Sequence, residues 1–216
     1  MPDATDLLCI TAYTDYKSPF AYLAKSATNA LAVEFPVSIA WTPYTLRIHE
    51  YLDAVADRSA HNWRKVKYMY MDARRLANRQ GLVVKAPKRH FDGSLSSIGM
   101  LFSQRHGFFD RYHDLTFERF WRRDLDIDSI DEMKRHIESL GGSPTDYEMY
   151  ALGPGRDENR KIVVDAEESG VFGVPTFRIG DELFWGGDRI PMLRQRIGEL
   201  LSARAQARRA GLGSSR

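Results

Sequence analysis

The sequence predicts an α/β fold interrupted by a large helical block, and three observations carry that expectation. Strand-like runs occur only near the two ends of the 216 residues. The stretch from about residue 47 to 169 reads as successive amphipathic helices broken by Gly and Pro. The chain then returns to two short alternating runs and a closing helix, so a strand–helix–strand unit and a hairpin–helix unit flank the block.

Taken in order, "LLCITAY" at 7–13 reads as a buried strand followed by a loop over 14–17. Ser18-Pro19 then starts a helix. A seryl oxygen accepts from an otherwise unpaired backbone N–H, and the fixed φ of proline suits the first turn. Tyr22, Leu23, Ala27, Ala30 and Leu31 recur at helical spacing up to about Val33. "VSIAW" at 37–41 alternates as a second strand and ends at Thr42-Pro43.

Inside the block, a helix over 61–80 stops at Gly81, and "LVV" at 82–84 is the one segment that resembles a strand. A further helix starts near Asp128 and sets Ile130, Met133, Ile137 and Leu140 on one face before Gly141-Gly142. Ser143-Pro144 caps the next helix, and Gly170 closes the last helix of the block. "PTFRIG" and "ELFWGG" then alternate around Gly180-Asp181, a hairpin signal. Asp188 caps a final helix with Ile190, Leu193, Ile197 and Leu200 on one stripe, and "SARAQARRAGLGSSR" reads as a frayed tail.

Composition narrows the function classes. Net charge is +2 with basic and acidic residues interleaved, so no cationic face announces a nucleic-acid partner. The acidic opening "MPDATD" has neither signal-peptide nor transit-peptide character, and no run is long enough to span a membrane. A soluble, cytoplasmic protein is expected. Cys9 is the only cysteine, so a CxxC pair is absent and the chain cannot shuttle a disulfide of its own.

Three places can carry chemistry. On local sequence alone Ser18 reads as a plain helix cap, yet a helix start also offers free N–H groups and a positive dipole end that favour an anion, including a thiolate brought by a ligand. A serine hydroxyl donating to that thiolate would favour ionisation further. "GVFGVPTF" at 170–177 sets Val174-Pro175 at a strand entry, where a cis bond would present the Val174 backbone to a ligand. "FWGGDR" at 184–189 ends a strand in two glycines before Asp188, which reads either as a cap or as a partner for a ligand ammonium.

The segments "DYKSPFAYLA", "KVKYMYMDARRLANRQGL" and "ESGVFGVPTFRIGDELFWGGDRIPMLRQRI" together resemble the DsbA-like branch of the thioredoxin superfamily, and within it the 2-hydroxychromene-2-carboxylate isomerases and kappa-class glutathione transferases. The resemblance spans nearly the whole chain, and its ending is the most specific part. It implies a thioredoxin-like fold split by an all-helical insertion, with 1–46 and 170–203 forming the discontinuous thioredoxin-like domain, 47–169 the insertion and 204–216 a tail. It implies glutathione as cofactor: Ser18 facing its sulfur, Val174 and cis Pro175 holding the cysteinyl backbone, and Asp188 holding the γ-glutamyl end. Asn62 and Lys65 in the insertion would reach toward the same ligand, with Tyr68 one turn on. No metal is implied, and relatives are commonly dimers.

Three residues depart from that pattern. Lys17 stands where these isomerases usually carry an apolar residue and would bring a cation close to the sulfur or to an acidic substrate. Gly187 replaces a common polar side chain, and Arg178 places a charge in a strand. The implied activity is a glutathione-dependent cis–trans isomerisation of a conjugated aromatic carboxylate, and the basic stretch 85–91 is either a solvated loop or a partner for that carboxylate. A kappa-like transferase or peroxidase using the same thiolate, and a non-catalytic thioredoxin-fold binding module, are the other readings.

Overall fold

The computed structural model describes residues 7–47 and 58–213. The opening hexapeptide and the first part of the expected helical block, 48–57, lie outside the described residues. Four strands form one sheet in the order β2-β1-β3-β4, with β1 at Leu8–Thr14, β2 at Val37–Pro43, β3 at Thr176–Ile179 and β4 at Glu182–Trp185. β1 and β2 run parallel, as a strand–helix–strand crossover requires, through α1 at Pro19–Glu34. β3 is antiparallel to β1, and β4 to β3 around Gly180, whose φ of +58° matches the turn read from Gly180-Asp181.

Between β2 and β3 lie six helices among the described residues: α2 (Ala60–Arg79), α3 (Ser94–Arg105), α4 (Phe109–Arg122), α5 (Ile130–Ser139), α6 (Pro144–Leu152) and α7 (Pro154–Glu168). The last helix, α8, follows a 3-10 turn at Gly187–Arg189 and covers Ile190–Gly213.

One continuous core joins sheet and insertion. Ile10, Ala12 and Phe177 from the sheet, Leu31 from α1, and Leu193 and Ile197 from α8 are fully buried. So are Tyr112, Phe117 and Trp121 of α4 and Met133 and Ile137 of α5. The joint between the two parts is aromatic. Tyr16, in the loop before α1, packs on Phe117 at 4.7 Å between ring centroids, and Tyr22 stacks on the same ring at 5.2 Å. Such contacts contribute about 0.5–1.5 kcal/mol each beyond simple burial, and they seat the start of α1 against the insertion.

α5 starts near Asp128 as expected, with Ser129 as its cap: the seryl oxygen accepts from Glu132 N–H at 3.3 Å. Asp128 itself accepts from Gly93 N–H at 2.9 Å and from Arg89 at 2.8 Å. Other local features differ from the sequence reading, each for a physical reason. Residues 82–84 form no strand: their neighbour Lys85 N–H bonds to Trp121 O at the end of α4, and among the described residues no strand pairs with them. Asp188 does not cap α8. It lies inside the 3-10 turn, makes no capping bond and pairs with Arg189 at 2.6 Å. From 204 to 213 the chain continues α8 where a frayed tail was expected, since Ala, Arg and Gln are strong helix formers. Cys9 is exposed, because β1 alternates at its start.

Two buried imidazoles link this core to pH. His136 accepts from Arg119 at Nδ1, which fixes the proton on Nε2, and that N–H donates to Thr116 Oγ1; both separations are 2.9 Å. Burial first, and Arg119 second, push its pKa from 6.5 down to about 4. His113, closed in by Tyr16, Trp41, Phe109 and Phe117, is pushed down by burial and then by Lys25. Because the folded state holds both neutral, the stabilisation is present above about pH 6.5 and is lost as pH falls towards 4. Urea midpoints should therefore drop steadily between pH 6.5 and 4. A flat profile over that interval would show that neither imidazole is protected from protonation.

Candidate active site

The site begins at the loop from β1 into α1. Ser18 is 4 % exposed, and its oxygen accepts from Ala21 N–H at 3.2 Å, as the cap reading requires. Its hydroxyl also donates to Val174 O at 3.5 Å. That separation is long beside the usual 2.7–2.8 Å of an O–H···O bond, so the proton is weakly held and can be redirected to a better acceptor at little cost. Pro19 has no N–H and Ala21 N–H is taken by the cap, which leaves Phe20 to contribute the remaining donor of this turn.

Val174-Pro175 is a cis bond, and it is brought beside Ser18 from the far end of the sequence. The Pro175 carbonyl accepts from Gly186 N–H at 2.8 Å, tying this loop to the end of β4. Gly187 then lies so close to α1 that a Cβ there would be 3.2 Å from the Cβ of Ala24. A side chain at 187 would thus require turn and helix to give by a few tenths of an ångström. Asp188 follows at the surface, and its carboxylate is free to exchange Arg189 for another cation only by breaking their pair.

A cleft of about 530 Å³ opens over Ser18 and Val174. One wall is α2, through Trp63, Val66 and Tyr70, and the facing wall is the segment 86–91. Trp185 lies at its edge, tilted against Phe172 with 4.8 Å between ring centroids, and each ring is about half exposed. The stretch 86–91 is therefore a cleft wall, although Lys88, Arg89 and His90 themselves are exposed. Arg89 lies 3.9 Å over the ring of Phe91 and forks onto both oxygens of Asp126, which raises its pKa.

Of the six residues anticipated from the sequence, Ser18 and Val174 line the cleft and Pro175 adjoins them. Asp188 sits on the neighbouring turn at the surface. Asn62 is half-buried one turn before Val66, its N–H accepted by the Ser59 cap at 3.2 Å, and Lys65 is exposed one turn before Met69; neither lines the cleft. The wall of α2 comes instead from positions 63, 66 and 70, whose helical spacing in "NWRKVKYMY" was the available signal. Lys17 is buried and its ammonium is bonded to Leu46 O at 2.9 Å and to Asp92 O, so it is not a cation open to the cleft as expected. Asp15, 1 % exposed, was missed; it accepts from Lys17 N–H at 2.9 Å and Leu46 N–H at 2.7 Å. Burial raises its pKa, against the lowering effect of Lys17 and those two N–H groups.

A model of the DSBA-like thioredoxin domain matches residues 9–198. The chain is 28 % identical over 192 residues to a 2-hydroxychromene-2-carboxylate isomerase of Pseudomonas putida, covering 87 % of this chain and 93 % of that protein. A 2-hydroxychromene-2-carboxylate isomerase of Sphingobium xenophagum is 27 % identical, over 84 % and 93 %. The solved structure of a 2-hydroxychromene-2-carboxylate isomerase superposes with a TM-score of 0.77 at 26 % identity, covering 93 % of this chain and 99 % of that one. A probable DsbA oxidoreductase from Streptomyces coelicolor shares the fold, with a TM-score of 0.73 at 14 % identity over 90 % of each chain. With its α/β sheet, the helical insertion between β2 and β3, and this match over most of its length, the chain belongs to the DSBA-like thioredoxin domain family.

Proposed function

We propose that this protein is a glutathione-dependent cis–trans isomerase acting on a conjugated aromatic carbonyl or carboxylate; the relatives named 2-hydroxychromene-2-carboxylate isomerase support the isomerase part of that reading. The observation that carries the reading is the convergence of the Ser18 hydroxyl and the Val174 backbone at the floor of a cleft of about 530 Å³. A peptide-like thiol fits there. The loosely held seryl proton and the first turn of α1 favour an anionic sulfur, and the Val174 backbone can pair with a cysteinyl backbone.

Bound glutathione would supply a thiolate nucleophile whose reversible addition turns a conjugated double bond into a rotatable single one. The chain itself supplies the surroundings. Ser18 donates to the sulfur and lowers the cost of its negative charge. Trp63 and Phe91 offer apolar faces to a flat substrate, and Lys88 on the cleft wall offers a cation to its carboxylate. With one cysteine in the sequence, a nucleophilic sulfur at this place comes from a ligand.

The test is to mix the protein with glutathione and 2-hydroxychromene-2-carboxylate and follow the ultraviolet spectrum. Equilibration to the open-chain isomer, dependent on catalytic glutathione, is the expected result. Stoichiometric consumption of glutathione with an electrophile, and no equilibration, would make it a transferase.

Asp188, placed by this reading at the γ-glutamyl ammonium, sets a second expectation. The carboxylate is exposed and already paired with Arg189, so its contact with a ligand is worth no more than about 1 kcal/mol, roughly fivefold in affinity. Because it makes no capping bond, Asp188→Ala should leave the melting temperature unchanged. Calorimetric titration with glutathione checks both points, and an unchanged affinity removes Asp188 from the site.

A further inference from the structure

Lys17 is one residue from Ser18 and contributes to the cleft, yet its side chain is only 4 % exposed and that of Asp15 is fully buried. The Lys17 ammonium donates to two main-chain oxygens, Leu46 O at 2.9 Å and Asp92 O, and stands 3.5 Å from Asp15 Oδ2 as an ion pair. These belong to three separate pieces of chain: the segment after β2, the end of the cleft-wall segment, and the loop before α1. The Asp15 carboxylate closes the cluster by accepting from Lys17 N–H and Leu46 N–H. The ammonium is bonded to two separate pieces of main chain, and its charge is answered by a buried carboxylate.

The stem of the lysine is held as firmly as its tip. Gly93 has a φ of +80°, and a Cβ built on it would come within 3.0 Å of both Cδ and Cε of Lys17. The backbone of the cleft wall therefore lies flat on the lysine, an approach open only to glycine. From the other side Asp128 accepts from Asp92 N–H at 3.1 Å and Gly93 N–H at 2.9 Å, and Arg89 bonds to Asp128 at 2.8 Å. The wall that carries Lys88, Arg89 and Phe91 is thus fastened on its inner side to the residue preceding Ser18, and on its outer side to Asp128.

We propose that Lys17 is a positioning residue: it clamps the 86–93 wall to the start of α1 and so sets the space between Ser18 and the place of the second substrate. It does not serve as counter-charge to the sulfur. The inference deepens the isomerase reading and rests on it for its kinetic consequence, while the clamp itself can be read without any ligand.

The experiment uses Lys17→Met, Lys17→Arg and Gly93→Ala. Hydrogen exchange of the ligand-free protein should rise at least tenfold in peptides covering 86–93 for Lys17→Met and Gly93→Ala, with β3 peptides unchanged. Lys17→Arg, which keeps charge and donors, should recover part of the protection. With saturating glutathione and 2-hydroxychromene-2-carboxylate, KM should rise about tenfold while kcat falls less than threefold. The ultraviolet titration of bound glutathione should not move. If Lys17→Met fails to fold, Lys17→Gln, which keeps N–H donors but loses the charge and the reach of the stem, is read in its place; Gly93→Ala brings backbone strain of its own at φ +80° and is read only beside it. Unaltered exchange in 86–93, or a displaced thiol titration with unaltered KM, would overturn the proposal. A wild-type protein that binds no glutathione ends the isomerase reading, and the exchange comparison then decides the clamp alone.

Discussion

Ser18→Ala is expected to raise the pKa of bound glutathione by about one to two units, because a hydrogen bond to a charged group contributes about 1.5–3 kcal/mol and each unit corresponds to about 1.4 kcal/mol. Isomerisation at neutral pH should slow by about ten- to a hundredfold with it. The shift should be partial, since the dipole and first-turn N–H groups of α1 remain after the substitution. Lys17 supplies none of the remainder, its ammonium being committed to Asp15, Leu46 and Asp92.

The same substitution removes a cap. Ala21 N–H loses its acceptor, and a lost serine cap costs about 0.5–2 kcal/mol of stability. Val174 O loses only a long contact of 3.5 Å. The two effects separate by measurement: the ultraviolet absorbance of enzyme-bound thiolate against pH reports the first, and a denaturant midpoint the second. Superimposable thiol titrations with a lowered midpoint would leave Ser18 as a cap and nothing more, and the mechanism would lose its central residue.

Ser18 illustrates what could be read in advance and what could not. Its role as cap follows from the Ser-Pro dipeptide alone, because both halves of that signal act within one turn. The hairpin at Gly180 is equally local, and β1, β2 and α1 follow from short-range pattern. That Ser18 and Val174 meet is a property of chain path, since they stand 156 positions apart, and only the resemblance to a family anticipated it. Local sequence gives a low prior for a cis bond, so Val174-Pro175 was in the same position.

Where the sequence reading fails, a competing partner has intervened. Asp188 has the side chain of a helix cap and the right place before a helix, but it is engaged by Arg189. Lys17 read as an open charge because its partners Asp92 and Leu46 offer main-chain oxygens, which carry no signature in the residue names. Asn62 and Lys65 rest on the resemblance, while the spacing of Trp63, Val66 and Tyr70 marks the side of α2 that lines the cleft. A lone glycine inside a helix is harder still, since the sequence does not reveal what passes over it.

Gly99→Ala, in the middle of α3, tests that last case and should be the most damaging substitution to the fold. A Cβ at this position would lie 2.2 Å from the hydroxyl of Tyr112 and 2.8 Å from its Cζ, well inside any contact distance. The ring cannot swing away. It is fully buried, stands edge-on to Tyr16 at 5.8 Å and lies 5.5 Å from His136, and its hydroxyl donates to Ser96 O at 2.7 Å. Overpacking of this kind costs about 1–3 kcal/mol, and breaking the hydroxyl bond in a buried site adds about 1–3 kcal/mol. The sum is a large part of the roughly 5–15 kcal/mol that holds a domain folded. Since Tyr16 is two residues before Ser18 and packs on Tyr112, the disturbance should also reach the cleft and weaken glutathione binding. Tyr112→Phe removes the atom at 2.2 Å and should relieve the clash in part, so the double variant should be more stable than the sum of the two single effects. Urea unfolding of the four proteins measures that coupling. Strictly additive effects would mean that α3 and α4 part without resistance at Gly99, and the close contact would carry none of the stability assigned to it.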